Sequence, residues 1–168
     1  LVRSLTGLLY WPVIFADVED VFSNPFQSAP HDLFNEDFCQ RRRVLLSNHE
    51  RSLSDDSELV KFLTLTVQSK NGTANRLVNW TLLQTVPLEQ WLEAVPVKVI
   101  RALCQFLIRN LGDYRNGFPD LFICYGPDDF EFVEVKGPND QLQPQQRAWF
   151  RVFDELKLPA RVLKLKAQ

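Results

Sequence analysis

The sequence predicts an α/β fold: a small mixed β-sheet flanked by helices, with a helical region ahead of it. Three observations carry this. Leu121–Tyr125 and Phe130–Lys136 are short runs, apolar on both faces and bounded by turn residues, which read as buried strands. Pro144 opens a helical pattern to about Lys157, and Arg161–Lys166 then alternates as a third strand. A strand, a helix and a strand at this spacing imply a right-handed crossover, hence a parallel pair beside the hairpin. The earlier two thirds of the chain carry helical rather than alternating patterns.

Taken in order, Leu5, Leu8, Leu9 and Val13 have helical spacing that ends near Pro12. Val18–Phe26 and Ser28–Phe34 are rich in Asp, Asn, Pro and Ser and read as loops. Phe34–Leu46 reads as one short helix carrying Arg41-Arg42-Arg43. In Asp55–Val67, Leu59, Val60, Leu63 and Val67 fit a helix, while Leu63, Leu65 and Val67 fit a strand. The cap at Ser54–Asp56 favours the helix. Lys70–Thr73 is a turn. Pro87–Ala94 and Val97–Leu111 are two helices separated at Pro96, the second ended by Gly112. Gly126–Asp129 turns the hairpin, and Leu158-Pro159-Ala160 stops the last helix.

Length and composition exclude several classes. The chain has 168 residues, 45% of them hydrophobic and 24% charged, which is globular rather than disordered. The longest apolar run, Leu8–Ala16, contains a proline and is far short of the roughly twenty residues of a membrane span. No basic flank, apolar stretch and small-residue cleavage site line up as a signal peptide. Cys39, Cys104 and Cys124 are odd in number and lack zinc-type spacing, so reduced thiols in an intracellular protein are expected. By the same argument the glycosylation sequons at Asn71 and Asn79 are accidental. Formal net charge is −2. Residues 1–100 hold nine Lys/Arg against twelve Asp/Glu, and residues 101–168 ten against nine. Global charge therefore gives no reason to expect nucleic acid, and any such claim rests on local sites. The absence of Met, even at position 1, points to a piece of a longer protein.

The chemistry concentrates in the hairpin. A loop over 125–129, symmetric about Pro127, pairs residues whose numbers sum to 254, which sets Asp120 opposite Glu134. Opposed residues share a face with Cβ atoms about 4.5–5.5 Å apart. Lys136 lies two residues beyond Glu134, on that same face. A slip of one residue would separate the acids. Apolar neighbours on both strands make such charges expensive unless they are paired or hold a metal. One resolution is structural, with Lys136 neutralising Glu134 and Asp120 capping a loop. The other is a cation held by the two acids.

Pro119-Asp120 followed by Glu134-Val135-Lys136 matches the PD-(D/E)xK nuclease signature. The fuller strings Arg115-Asn116-Gly117-Phe118-Pro119-Asp120-Leu121 and Val133 through Asp140, with Leu142 and Gln146, resemble the virus-type replication-repair nuclease (VRR-NUC) domain. More narrowly they resemble the Fanconi-associated nuclease family. Gly7–Trp11, Asp20-Val21-Phe22, Pro30–Leu33 and Phe38–Arg42 are similar to that family too. The resemblance implies a restriction-endonuclease-like sheet, with residues 1–110 as a helical region packed on a catalytic core over 111–168. It implies metal-assisted phosphodiester hydrolysis with Mg²⁺ or Mn²⁺, since such sites use hard oxygen ligands. Asp120, Glu134 and the carbonyl of Val135 are the implied ligands, Lys136 positions the attacking water, and Gln146 holds Lys136 or the water. The implied activity is structure-specific: endonuclease near 5′ flaps and 5′-to-3′ exonuclease, in interstrand cross-link repair.

Branched or flap DNA and repair-complex proteins are the implied partners, with no membrane. The location is intracellular: cytoplasm or nucleoid in a bacterium, nucleus in a eukaryote. The resemblance also implies a further glutamate ligand ahead of Gly7-Leu8-Leu9. Leu1–Leu5 holds no acid, and the matching position falls just before Leu1. Further DNA-binding and helical parts would precede it. A non-catalytic DNA-docking module of this fold, or a junction-resolvase or restriction-type nuclease, are the alternatives.

The remaining candidates are basic. Arg115 reads equally as a phosphate contact or a solvated loop arginine. Arg41, Arg42 and Arg43 are candidate DNA-backbone contacts or a solvated face, and Arg161, Lys164 and Lys166 a candidate basic rim. His31 and His49 lack partner patterns, and the four tryptophans sit in core patterns.

Overall fold

The computed structural model describes residues 1–166. The first helix, α1 (Val2–Leu9), is buried along almost its whole length and serves as the axis of the helical region. α5 (Asp56–Lys70) and α8 (Val97–Arg109) pack on it. Gly7 permits a third close approach: a Cβ there would meet Leu77 Cβ and Val78 Cγ2 at 2.8 Å. The 75–79 segment is tied to α1 by Asn75 Nδ2 donating to the Gly7 carbonyl at 3.2 Å and Asn79 N–H donating to Ser4 Oγ at 3.0 Å. The ambiguous segment is helical because Asp55 caps it, accepting from the Ser57 and Glu58 amides at 2.8 and 3.3 Å.

Around this axis lie α2 (Trp11–Ile14), α3 (Phe38–Arg41), α4 (Arg43–Ser52), α6 (Trp80–Thr85), α7 (Leu88–Ala94) and α9 (Leu111–Tyr114). Two differences from the sequence reading stand out. The single helix expected over Phe34–Leu46 is two, broken at Arg42, and the second runs on to Ser52. α6 carries no sequence stripe long enough to read; it forms because Asn79 caps it through the Leu82 amide at 3.0 Å. Cys39, Cys104 and Cys124 are free thiols. Cys104 is buried, and desolvation pushes it up to about 12. No helix among the described residues is long and apolar enough to cross a membrane.

The sheet has the order β1-β2-β3, with β1 (Leu121–Gly126) antiparallel to β2 (Asp129–Lys136) and β3 (Ala160–Lys164) parallel to β2. α10 (Pro144–Glu155) makes the crossover. Leu121 pairs Val133, Phe122 pairs Phe132, Ile123 pairs Glu131 and Cys124 pairs Phe130, so the partner numbers do sum to 254. The turn itself is tighter than expected. Gly126 pairs Asp129, Asp128 takes a left-handed φ of 59°, and an irregularity between Cys124 and Gly126 restores the register. One face of the sheet presents Phe122, Phe130 and Phe132. Phe132 stacks on Phe153 of α10 at 4.8 Å, with Phe118 and Trp149 closing the cluster. The other face is more open: Leu121, Tyr125 and Leu163 are exposed there, though Val133 at its centre is buried. β1 is thus an edge strand, half-exposed rather than buried.

Candidate active site

β2 carries the site because its even-numbered residues run along the packed face. Phe130 and Phe132 fill the aromatic core, and Glu134 and Lys136 continue the same row beyond it. Glu134 is 1% exposed and Lys136 8%. Lys136 Nζ lies 2.9 Å from Glu134 Oε1. Gln146 Nε2, in the first turn of α10, donates to that same oxygen. Both neighbours therefore converge on one oxygen. The other, Glu134 Oε2, is buried and has no hydrogen-bond partner.

Gln146 is fixed from both ends. It is the N3 residue of a capping box in which its Oε1 accepts the Gln143 amide at 2.9 Å. The chain leading to Asp120 is pinned to the same turn. Gly117 adopts φ +82°, and a Cβ there would meet the Gln145 backbone at 2.7 Å. Only glycine allows this approach, which runs the Asn116–Asp120 segment against the start of α10. Trp149 Nε1 donates to the Asn116 carbonyl at 3.0 Å and completes the clamp.

Asp120 sits one residue before the first hairpin pair, where the same register sets it opposite Glu134. It is exposed, and its Oδ2 accepts the Val135 amide at 2.9 Å. Phe132 and Lys136 turn their backbone groups toward β3. Alternation therefore turns those of Val135, its carbonyl included, toward the side of Asp120. Two carboxylates and a backbone carbonyl are hard oxygen donors of the kind Mg²⁺ and Mn²⁺ select. The orphaned Glu134 oxygen is the observation that fits such an ion, since a buried anionic oxygen without a donor costs free energy that a cation recovers. Among the described residues, no three His, Cys, Asp or Glu side chains converge. The candidate donors on this hairpin are two acids and a carbonyl.

Of the other predicted residues, only Gln146 is gathered here. Gln146 holds Glu134 rather than Lys136, because its oxygen is committed to the helix cap. Arg115 is exposed at the end of α9, its guanidinium 5.4 Å from the Phe34 ring centroid. Arg42 is a correction. It is buried and hydrogen-bonded to Asp32, Val13 and Phe38, so it offers nothing to a phosphate. Arg41 shares Asp32 at 3.2 Å and also donates to the Glu19 carbonyl, while Arg43 is exposed. Arg161 points to the outer face and pairs with Glu131 at 2.8 Å.

A three-stranded mixed sheet bearing acid, acid and lysine on adjoining rungs defines a restriction-endonuclease-like protein of the PD-(D/E)xK class. A sequence profile of the VRR-NUC domain matches residues 55–167. The chain belongs to the VRR-NUC family. It is 38% identical over 96% of its length to the Fanconi-associated nuclease 1 homolog of Pseudomonas aeruginosa, of which it covers 29%. It is 32% identical over 91% of its length to human Fanconi-associated nuclease 1, covering 16% of that protein. Its fold is similar to that of paFAN1 in a crystal structure with 1-nt 5′-flap DNA with a gap. There the TM-score is 0.89 and the identity 36%, over 99% of this chain and 31% of that one. The chain spans less than a third of the length of these relatives.

Proposed function

We propose that this chain is the catalytic part of a divalent-metal-dependent, structure-specific DNA nuclease. The orphaned Glu134 oxygen beside Lys136 and Asp120 is the observation that carries the reading. Glu134, Asp120 and the Val135 carbonyl would hold Mg²⁺ or Mn²⁺. When bound, that ion neutralises charge at the phosphate and acidifies a water. Lys136 orients the attacking water and donates to the phosphate oxygens. Gln146 keeps Glu134 turned toward the ion. The Gly117 clamp fixes Asp120 against the same helix start, so both acids are held before substrate arrives. Residues 111–168 act as the catalytic core and residues 1–110 as the helical region supporting it.

The likeness to Fanconi-associated nucleases supports 5′ flaps as the favoured substrate, with 5′-to-3′ exonuclease action and a role in cross-link repair. Asp120→Ala and Lys136→Met each lower Mn²⁺-dependent cleavage of a 5′-flap DNA by at least about 10²-fold. Circular dichroism stays native. Near wild-type cleavage by both variants overturns the mechanism. Flap, four-way-junction and linear duplex DNA compared side by side separate this reading from a resolvase or restriction-type enzyme. A non-catalytic DNA-docking module is the second reading, favoured by contacts that already occupy Asp120 Oδ2 and Glu134 Oε1. It requires that the wild type cleave none of the three.

A further inference from the structure

Lys136 has a cationic neighbour across the sheet. The parallel register sets Lys164 beside it, on the same face and one strand spacing away, about 4.8 Å. Like charges directly opposite each other on neighbouring strands repel unless an anion lies between them. Lys136 is committed to Glu134, but Lys164 is exposed and enters none of the ion pairs among the described residues. A third cation faces the same space. Arg147, next to Gln146 on α10, donates from Nε to the Leu142 carbonyl at 3.0 Å. That bond fixes the guanidinium and leaves both terminal nitrogens without a partner among the described residues. Lys136, Arg147 and Lys164 line one cavity of about 330 Å³, floored by Val162. Among the described residues the only acid lining it is Asp140, whose Oδ2 is occupied by the Gly137 amide at 3.0 Å. With Lys136 paired to Glu134, the groove keeps two unpaired cations, Arg147 and Lys164, against Asp140, in a chain of net charge −2. Arg161, on the opposite face of the same strand, is neutralised by Glu131.

We propose that this groove is a DNA-backbone subsite, in which Arg147 and Lys164 grip the phosphodiester adjacent to the one Lys136 serves. The proposal rests on the nuclease reading and extends its site along the cut strand. Its occupant is a strand phosphate, because the groove is continuous with Lys136 and its unpaired side chains are cationic.

The test is binding of the full protein to a fluorescent 5′-flap DNA in EDTA across a salt series. Replacing both residues, Arg147→Ala with Lys164→Ala, lowers the slope of log K against log salt by about two. The charge-retaining pair Arg147→Lys with Lys164→Arg restores most of it. A neutral methylphosphonate next to the cleavage position weakens wild-type binding and leaves the alanine pair indifferent. An unchanged slope, or a methylphosphonate effect that persists in the alanine pair, overturns the subsite. Wild-type cleavage of the same DNA with Mn²⁺ keeps the nuclease reading in that event. A wild type that binds without cleaving removes the nuclease reading while the slope still decides the subsite. A wild type that does not bind removes both.

Discussion

Two buried ion pairs, one in each half of the chain, are built to opposite ends. Arg42 meets Asp32 as a fork, Nη1 to Oδ2 at 2.7 Å and Nη2 to Oδ1 at 3.1 Å. Its Nε serves the Val13 carbonyl at 3.1 Å, and its guanidinium lies 4.2 Å from the Phe38 ring centroid. Both carboxylate oxygens have donors, so the pair is closed. Glu134 and Lys136 are buried too, yet lysine and Gln146 crowd one carboxylate oxygen and leave the other bare. Trp91 Nε1 is also buried without a partner, but an indole N–H is a donor and attracts no cation. A closed pair serves the fold alone. An open one with a bare anionic oxygen is affordable where a ligand completes it.

The largest effect that tests this contrast is on stability. Arg42→Ala removes the fork and leaves the buried Asp32 only its 3.2 Å contact with Arg41, and should cost about 3–5 kcal/mol, read from urea unfolding. The milder change at the open pair, Glu134→Gln, keeps an acceptor for Lys136, which lines the open groove, and removes the bare anion. It should cost no more than about 1–2 kcal/mol. Equal losses would erase the distinction.

Metal linkage gives the next effect. Wild type in Mn²⁺ at a hundred times the dissociation constant gains about 2.7 kcal/mol of stability. Glu134→Gln should lose nearly all of that gain, and Arg42→Lys none. A thermal shift on Mn²⁺ addition that survives in Glu134→Gln places the ion elsewhere.

The contrast was only half legible in the sequence. Hairpin symmetry fixed Asp120 opposite Glu134, because turn length and side-chain alternation are local. The third strand's register against β2, which brings Lys164 to Lys136, depends on where a crossover helix ends and carries no local signal. Arg42 lies between two other arginines, and its partner Asp32 is ten residues away in a loop. Nothing in one dimension separates the buried member of that run from its exposed neighbours. The helix that periodicity alone would continue through Leu46 breaks at this same residue. Apolarity suggested that β1 is buried, but a three-stranded sheet with helices on one face leaves Leu121 and Tyr125 outside. Nothing in the sequence singles out Arg147, since one arginine on an amphipathic helix makes no pattern.

The smallest effect lies at Gln146, which joins the two kinds of contact in one side chain. Its oxygen closes a helix cap and its amide holds the open carboxylate. Gln146→Ala should therefore lose about 1 kcal/mol from the cap and about 10–100-fold in Mn²⁺ affinity. Gln146→Glu separates the two. A glutamate oxygen still accepts the Gln143 amide, so the start of α10 holds. The donor toward Glu134 becomes a second anion, and the carboxylate is no longer steered. Unfolding free energy near wild type together with an altered Mn²⁺ titration is the expected pair of readings. If Gln146→Ala loses stability while Mn²⁺ binds as before, the glutamine is a helix cap and nothing more. The orientation of Glu134 then comes from Lys136 alone.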